Sequence, residues 1–132
     1  MKHSFSVNHV GTVSVSSEYL GNKESSWGDN WNNHKITIRH DGRSCSFDFW
    51  ASIANPEVRT VSDLGNAVFC FLSDAESGKM DFSEFCNEFG YDEDSRRSEK
   101  TWNACKKSLS AAERVFGSDL DSVMTFFSNN YC

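Results

Sequence analysis

The most chemically suggestive part of the chain is an acidic stretch from Ser73 to Arg96, which reads SDAESGKMDFSEFCNEFGYDEDSR. It carries eight carboxylates and two basic residues, so its net charge of −6 equals that of the whole 132-residue chain. Carboxylates at this density suit calcium binding, acid/base catalysis or the attraction of a basic partner. The acidic residues are Asp74, Glu76, Asp81, Glu84, Glu88, Asp92, Glu93 and Asp94.

Part of this stretch has the spacing of a twelve-residue calcium loop, with Gly78 at the sixth position and Glu84 at the twelfth. Calcium needs several oxygen ligands, yet Ser73 and Ala75 occupy the first and third positions, and alanine has no side-chain oxygen. A degenerate calcium-binding module is therefore an alternative only, and we predict neither a metal site nor a cofactor. The structural interpretation is a connection between two helices, in which Gly and Asp satisfy turn and cap geometry.

No catalytic signature accompanies the carboxylates, because the sequence has no Ser/His/Asp pattern, Gly-rich phosphate loop or HExxH motif. The adjacent acids from Asp92 to Asp94 precede a predicted helix, whose positive dipole end explains three acids there. We therefore predict that the protein is not an enzyme. The five cysteines lack close spacing and are predicted to be reduced thiols, three of them (Cys70, Cys86, Cys105) on apolar helix faces.

The charge is uneven along the chain, since Met1 to Leu72 sums to −1 and Ser73 to Cys132 sums to −5. Such acidity disfavours direct nucleic-acid binding, because affinity for phosphates comes largely from Lys and Arg. It favours a partner protein with a basic surface. No run of residues has the length and apolar character of a membrane span or a signal peptide, so we expect an intracellular protein without membrane partners.

The sequence predicts one α+β domain over residues 1–132, mainly β over 1–54 and mainly α over 60–130. Alternation of apolar residues predicts a three- to four-stranded antiparallel sheet, with Asp41-Gly42 as a tight turn. The predicted strands are Ser4–Val7, Thr12–Ser17, His34–His40 and Arg43–Trp50. The stretch from Glu18 to Asn33 loses this periodicity and is predicted to be a long loop.

About four helices should cover the apolar face of this sheet. The first is predicted to start at an N-cap, Ser62, and to end near Leu72. The second follows Asp81 and ends at Gly90, and its Phe face, which includes Phe89, is predicted to be core.

The third and longest helix is predicted to have Asp94 or Ser95 as its N-cap. Its apolar stripe is expected to pack inward and consists of Trp102, Cys105, Leu109, Ala112 and Phe116. Gly117 should end it, and a last helix opening at Ser118 is predicted to run into a short polar tail.

Two tryptophans, Trp27 and Trp31, lie in the predicted loop, where such large side chains are unusual. A tryptophan in a polar loop either folds back over the core or anchors a binding partner. Trp31 directly precedes a predicted strand, which favours the first alternative for that residue.

Three phrases resemble a group of small proteins encoded in tailed-phage and prophage genomes. They are NWNNHKITI from Asn30 to Ile38, SFDFWAS from Ser46 to Ser52 and FCNEFGYDEDSR from Phe85 to Arg96. The resemblance implies a phage setting, and with it a location in the host cytoplasm, but no catalytic residues. Small acidic phage proteins often bind host machinery, and anti-CRISPR proteins that occupy the nucleic-acid-binding surfaces of Cas effectors are one example.

The expected function is therefore a non-catalytic phage protein that inhibits host defence, with a DNA-mimicking anti-CRISPR protein that binds through an acidic surface as the preferred interpretation. The alternatives are a phage structural or housekeeping protein, the degenerate calcium module, and charges that only maintain solubility. The predicted partner-binding residues are Asp74, Glu76, Asp81, Glu88, Asp92, Glu93, Asp94, Trp27 and Trp31.

Overall fold

A computed structural model of the chain describes residues 1–24, 30–52 and 58–132. It confirms the predicted α+β class, with a four-stranded antiparallel sheet followed by four α-helices. The elements are β1 (Lys2–Val7), β2 (Gly11–Glu24), β3 (Asn30–His40), β4 (Arg43–Ser52), α1 (Val61–Ser77), α2 (Phe82–Phe89), α3 (Arg96–Phe116), a 3-10 turn (Gly117–Asp119) and α4 (Leu120–Tyr131).

The sheet is a meander in the order β1-β2-β3-β4, in which each strand pairs antiparallel with the next one along the chain. Asp41 and Gly42 connect β3 to β4 with φ angles of 50° and 78°. Two positive φ angles are what a two-residue hairpin turn requires, so the predicted tight turn is confirmed.

The main core lies between one face of the sheet and helices α1, α3 and α4. Successive side chains of a strand point to opposite faces, which is why alternate residues such as Val13, Val15, Ile36 and Ile38 are buried. The opposite face is polar and carries cross-strand hydroxyl pairs, for example Thr37 with Ser46 at 3.0 Å. The helices contribute buried side chains that include Leu64, Val68, Leu72, Ala112, Val115, Phe116, Val123 and Phe127. Within the described residues, no helix is both long and apolar enough to cross a membrane.

The prediction of a long loop from Glu18 to Asn33 is wrong, because β2 continues to Glu24 and β3 begins at Asn30. An irregularity in register between Tyr19 and Gly21 marks where the two strands continue as a polar ribbon. The Asn32 carboxamide oxygen accepts hydrogen bonds from the Tyr19 hydroxyl at 2.8 Å and from Asn22 Nδ2 at 3.3 Å. Polar cross-strand contacts thus replace the apolar alternation by which strands are recognised.

Helix α1 begins and ends at residues other than those predicted. Its N-cap is Thr60 and not Ser62, and a capping box joins the Thr60 hydroxyl to the backbone N–H of Asp63 at 3.1 Å. The helix continues to Ser77 and not to Leu72. The last turns of α1 are mostly polar, so the sequence pattern did not predict them. Ala75 nevertheless continues the helical spacing of the inward-facing residues and is buried.

Replacing Thr60 by alanine is expected to lower the free energy of unfolding by about 1 kcal/mol, because an N-terminal cap is lost. The Asp63 carboxylate accepts the backbone N–H groups of Arg59 and Thr60, each at 3.0 Å. Burial raises the pKa of Asp63, but the hydrogen bonds from Arg59 and Thr60 outweigh it, so its pKa is lowered overall.

The stabilisation by Asp63 is therefore present above the ordinary pKa of about 3.9 and is lost as the pH falls through the lower folded value. Urea unfolding measures the loss in Thr60→Ala. The same measurement on Asp63→Asn and the wild type, at pH 7 and at pH 3, gives the pH-dependent contribution of the Asp63 carboxylate. Ser62→Ala is the control, since Ser62 is exposed. If Ser62→Ala lowered the free energy of unfolding as much as Thr60→Ala does, the assignment of Thr60 as the cap would be contradicted.

The five cysteines are free thiols, of which Cys45, Cys86 and Cys105 are buried. Cys70 is exposed on α1, which corrects its predicted place on an apolar helix face. Partial desolvation, followed by the negative charge of Asp74 and by Cys132, raises the pKa of Cys70. Its thiol therefore stays protonated at neutral pH, where the thiolate is the reactive form.

Candidate protein-binding surface

Helix α2 is short, and both of its ends are fixed by caps that the sequence predicts. The Asp81 carboxylate accepts the backbone N–H of Glu84 at 2.8 Å, which satisfies one free donor of the first turn. Gly90 ends the helix in the left-handed conformation with a φ of 70°, and Tyr91 donates its backbone N–H to the Cys86 carbonyl at 2.9 Å.

The inner side of α2 belongs to a small hydrophobic cluster that is separate from the main core. Its buried members are Phe85 and Cys86 from α2 and Cys105 from α3. Met80, Phe82 and Trp102 pack around them, and the Trp102 indole N–H donates to the Met80 carbonyl at 3.0 Å. We call these six residues the α2 cluster.

The outer side of α2 and the segment after it are strongly acidic. Residues 81–95 contain six carboxylates and no Lys or Arg, and all six of these acidic residues are exposed. Some contacts stay within the segment, since the Asp92 carboxylate accepts the backbone N–H of Asp94 at 3.0 Å and the Ser83 hydroxyl donates to Glu93. The six are Asp81, Glu84, Glu88, Asp92, Glu93 and Asp94.

Two aromatic side chains are exposed among these acids. Phe89 and Tyr91 have exposed fractions of 47% and 45%, and their ring centroids are 6.3 Å apart. Both rings pack on buried Phe85, at centroid distances of 5.0 and 5.5 Å. The prediction that Phe89 is core is therefore wrong, because α2 packs chiefly against α3 and this one layer leaves its C-terminal end uncovered.

Neighbouring charges perturb several groups on this surface. A hydrogen bond and electrostatic repulsion from Asp81 raise the pKa of Glu84, whereas the backbone N–H of Glu84 lowers the pKa of Asp81. Burial raises the pKa of Cys86, and the negative charges of Glu93 and Asp92 raise it further. Burial and the nearby carboxylates therefore favour the protonated thiol of Cys86 over the thiolate.

The structure does not bring all nine predicted site residues together. Five of them lie on or next to α2, namely Asp81, Glu88, Asp92, Glu93 and Asp94. Asp74 and Glu76 belong to the end of α1, where Glu76 forms an ion pair with Lys79 at 3.0 Å. Partial desolvation raises the pKa of Asp74. Trp31 is half-buried on β3, and Trp27 lies outside the described residues.

The sequence reasoning missed Phe89 and Tyr91 as candidate binding residues. The signal available was their position on either side of Gly90, at the end of a helix too short to be covered along its whole length. We define the α2 surface as these two aromatic residues together with Asp81, Glu84, Glu88, Asp92, Glu93 and Asp94.

Residues 73–84 do not have the conformation of a twelve-residue calcium loop. Residues 73–77 form the last turns of α1, and α2 begins at Phe82. Only four residues, Gly78 to Asp81, connect the two helices, so a twelve-residue ligand loop is not formed.

No protein-family model, curated protein or solved structure matches this chain.

Proposed function

We propose that this protein is a non-catalytic binding protein whose α2 surface captures a partner protein with a basic surface. The observation that supports it most is the exposed pair Phe89 and Tyr91 among six carboxylates. Exposed aromatic residues on a rigid element are typical anchors of protein interfaces, and aromatic residues are enriched among the side chains that dominate binding energy.

The two parts of the surface have different roles in this proposal. The carboxylates attract a basic partner over distance and accelerate association, an effect that salt screens. The aromatic rings supply apolar area that is buried only after contact, which slows dissociation. Because Phe85 supports both rings from beneath, little side-chain freedom is lost on binding.

In its narrower form, the proposal is that the protein is encoded by a phage and inhibits a host defence protein. A CRISPR effector is the partner we favour, because it holds nucleic acid in a positively charged channel that an acidic surface can occupy. The resemblance of the chain to phage-encoded proteins supports this choice of partner class.

The test is an electrophoretic mobility assay with a purified Cas effector, its guide RNA and its target DNA. The wild-type protein is expected to reduce DNA binding by the effector, and less so as the salt concentration rises. Glu88→Gln/Asp92→Asn/Glu93→Gln is expected to raise the inhibitory concentration about tenfold or more, since the lost charges face the partner. Phe89→Ala/Tyr91→Ala is expected to do the same.

The matched control neutralises three exposed acids elsewhere, as Glu18→Gln/Asp48→Asn/Glu113→Gln, and should inhibit like the wild type. Equal inhibition by all variants would remove the α2 surface from the mechanism. Absence of inhibition, together with recovery of the protein in virions, would favour the phage structural alternative. Circular dichroism of each variant verifies that its fold is retained.

A further inference from the structure

Helix α3 has a second face that is basic, although the protein as a whole is acidic. Four of its six exposed cations lie within about 40° of one another around the helix axis, over about 27 Å of helix. Viewed down the helix axis, no carboxylate of α3 lies between these four cations, because Glu99 and Glu113 both lie to one side of them. The cations are Arg96, Lys100, Lys107 and Arg114.

The residues of this face follow the spacing of a coiled-coil seam. Lys100, Ala104, Lys107, Ala111 and Arg114 recur at alternating intervals of four and three residues. The seam is distinct from the buried stripe that holds α3 in the protein, since Lys100 and Cys105 are about 140° apart around the helix axis. We call these five residues the α3 basic face.

Two cations on this side of α3 have defined contacts. Arg114 donates through Nη2 to the Ser44 carbonyl of β4 at 3.1 Å, which fixes the C-terminal end of the α3 basic face against the sheet. Lys106 lies over the Trp102 ring at 4.4 Å and stays on the flank. A shallow groove runs along this side of the helix and is lined by side chains that include Asn103, Ala104, Ser110 and Ala111.

We propose that the α3 basic face is a second docking surface, and that its occupant is an acidic helix of a partner protein. Lys100, Lys107 and Arg114 recur about every 10.5 Å, the same interval at which a partner helix presents carboxylates seven residues apart. Ala104 and Ala111 let the two backbones approach closely. The aliphatic stems of the lysines then cover the contact while their ammonium groups meet the carboxylates.

A nucleic acid fits this face less well than an acidic helix does. Duplex DNA carries one charge per about 1.7 Å of its axis, whereas four cations over about 27 Å neutralise few phosphates. The net charge of −6 also repels a long polyanion. An acidic helix needs only a few carboxylates, each placed against one cation.

This docking surface is independent of the α2 surface and goes beyond the proposed function. It makes the protein an adaptor with a basic-partner surface on α2 and an acidic-partner surface on α3. Each surface has its own variants, so the failure of one proposal leaves the other standing.

The test uses a synthetic 21-residue helical peptide with Glu at seven-residue intervals and Ala and Leu along the facing seam. Titration calorimetry is expected to show saturable binding to the full chain that weakens as salt rises. Lys100→Glu/Lys107→Glu should weaken it at least about tenfold, because each pairing becomes a repulsion. Ala104→Tyr should weaken it similarly while leaving all cations in place, because the backbones can no longer approach.

Three controls make the result specific. Lys2→Glu/Lys35→Glu reverses two exposed charges on the sheet and should bind like the wild type. A peptide of the same composition in scrambled order should bind at least about tenfold more weakly. Phe89→Ala/Tyr91→Ala should leave peptide binding unchanged, which separates this surface from the α2 surface.

The proposal is overturned by no measurable peptide binding, or by binding that Lys100→Glu/Lys107→Glu leaves intact. If Ala104→Tyr left peptide binding unchanged, the binding would depend on charge alone and not on close helix packing, and the proposal would also be overturned. Tighter binding of a 20-base-pair DNA duplex than of the peptide, lost in Lys100→Glu/Lys107→Glu, would show that the occupant is nucleic acid instead.

Discussion

Replacing Gly78 by alanine is expected to lower the free energy of unfolding by about 3 kcal/mol, because the added methyl group meets backbone atoms that cannot easily move. A Cβ at this position would lie 2.5 Å from the carbonyl oxygen of Cys105 and 3.0 Å from the backbone nitrogen of Lys106. The φ of −67° is accessible to any residue, so the close approach of α1 to α3 is what requires glycine. Urea unfolding measures the loss.

Gly65→Ala is the comparison, since its Cβ would meet the ring of Tyr131 rather than backbone. Displacing this ring costs its contacts with Phe5, Phe126 and Phe127 but moves no backbone, and alanine gains about 1 kcal/mol over glycine inside a helix. We therefore expect a smaller loss than for Gly78→Ala. A Gly78→Ala protein as stable as the wild type would contradict this prediction, because it would mean that α3 can move away from residue 78 with little loss of free energy.

Replacing Phe85 by alanine is expected to weaken the docking of α2 by about 3–5 kcal/mol, the usual loss for a buried phenylalanine. Phe85 has an exposed fraction of 2% and is the largest buried side chain of the α2 cluster. Because this cluster is separate from the main core, α2 should open locally while the sheet stays folded. Hydrogen exchange should show lost protection in α2 and unchanged protection in β2 and β3.

Phe89→Ala is the matched control, because it is the same substitution on the same helix at an exposed side chain. It should leave hydrogen exchange in α2 nearly unchanged while weakening binding through the α2 surface. If Phe85→Ala instead reduces protection in the sheet and in α2 equally, the two clusters unfold as one cooperative unit and the local-opening prediction is wrong.

Most of the sheet and the longest helix follow from the sequence because their residues repeat with a clear period. Ile36 and Ile38 alternate with polar residues, and the apolar stripe of α3 returns to one side of the helix. Where polar contacts join the strands instead, the alternation of apolar residues is lost. Tyr19, Asn22 and Asn32 join strands by hydrogen bonds, so this ribbon resembled a loop.

The candidate site was only partly predictable, because the sequence gives charge but not which charges lie together. Asp74 and Glu76 are close in sequence to Asp81, yet they lie on a different helix and Glu76 is paired with Lys79. Exposure of Phe89 depends on how far α3 covers α2, which is a tertiary property. The basic side of α3 was not predicted, because the net charge of a stretch of sequence does not show how its charges are divided between the faces of a helix.

The separation of the α2 cluster from the main core has a consequence for how this protein can diverge. If α2 is a binding surface as proposed, substitutions on it alter recognition, while the free energy that holds the sheet against α1, α3 and α4 comes from other residues. Specificity and fold stability are therefore free to vary separately. An engineered chain can take a new binding face on α2 while every side chain of the main core is kept.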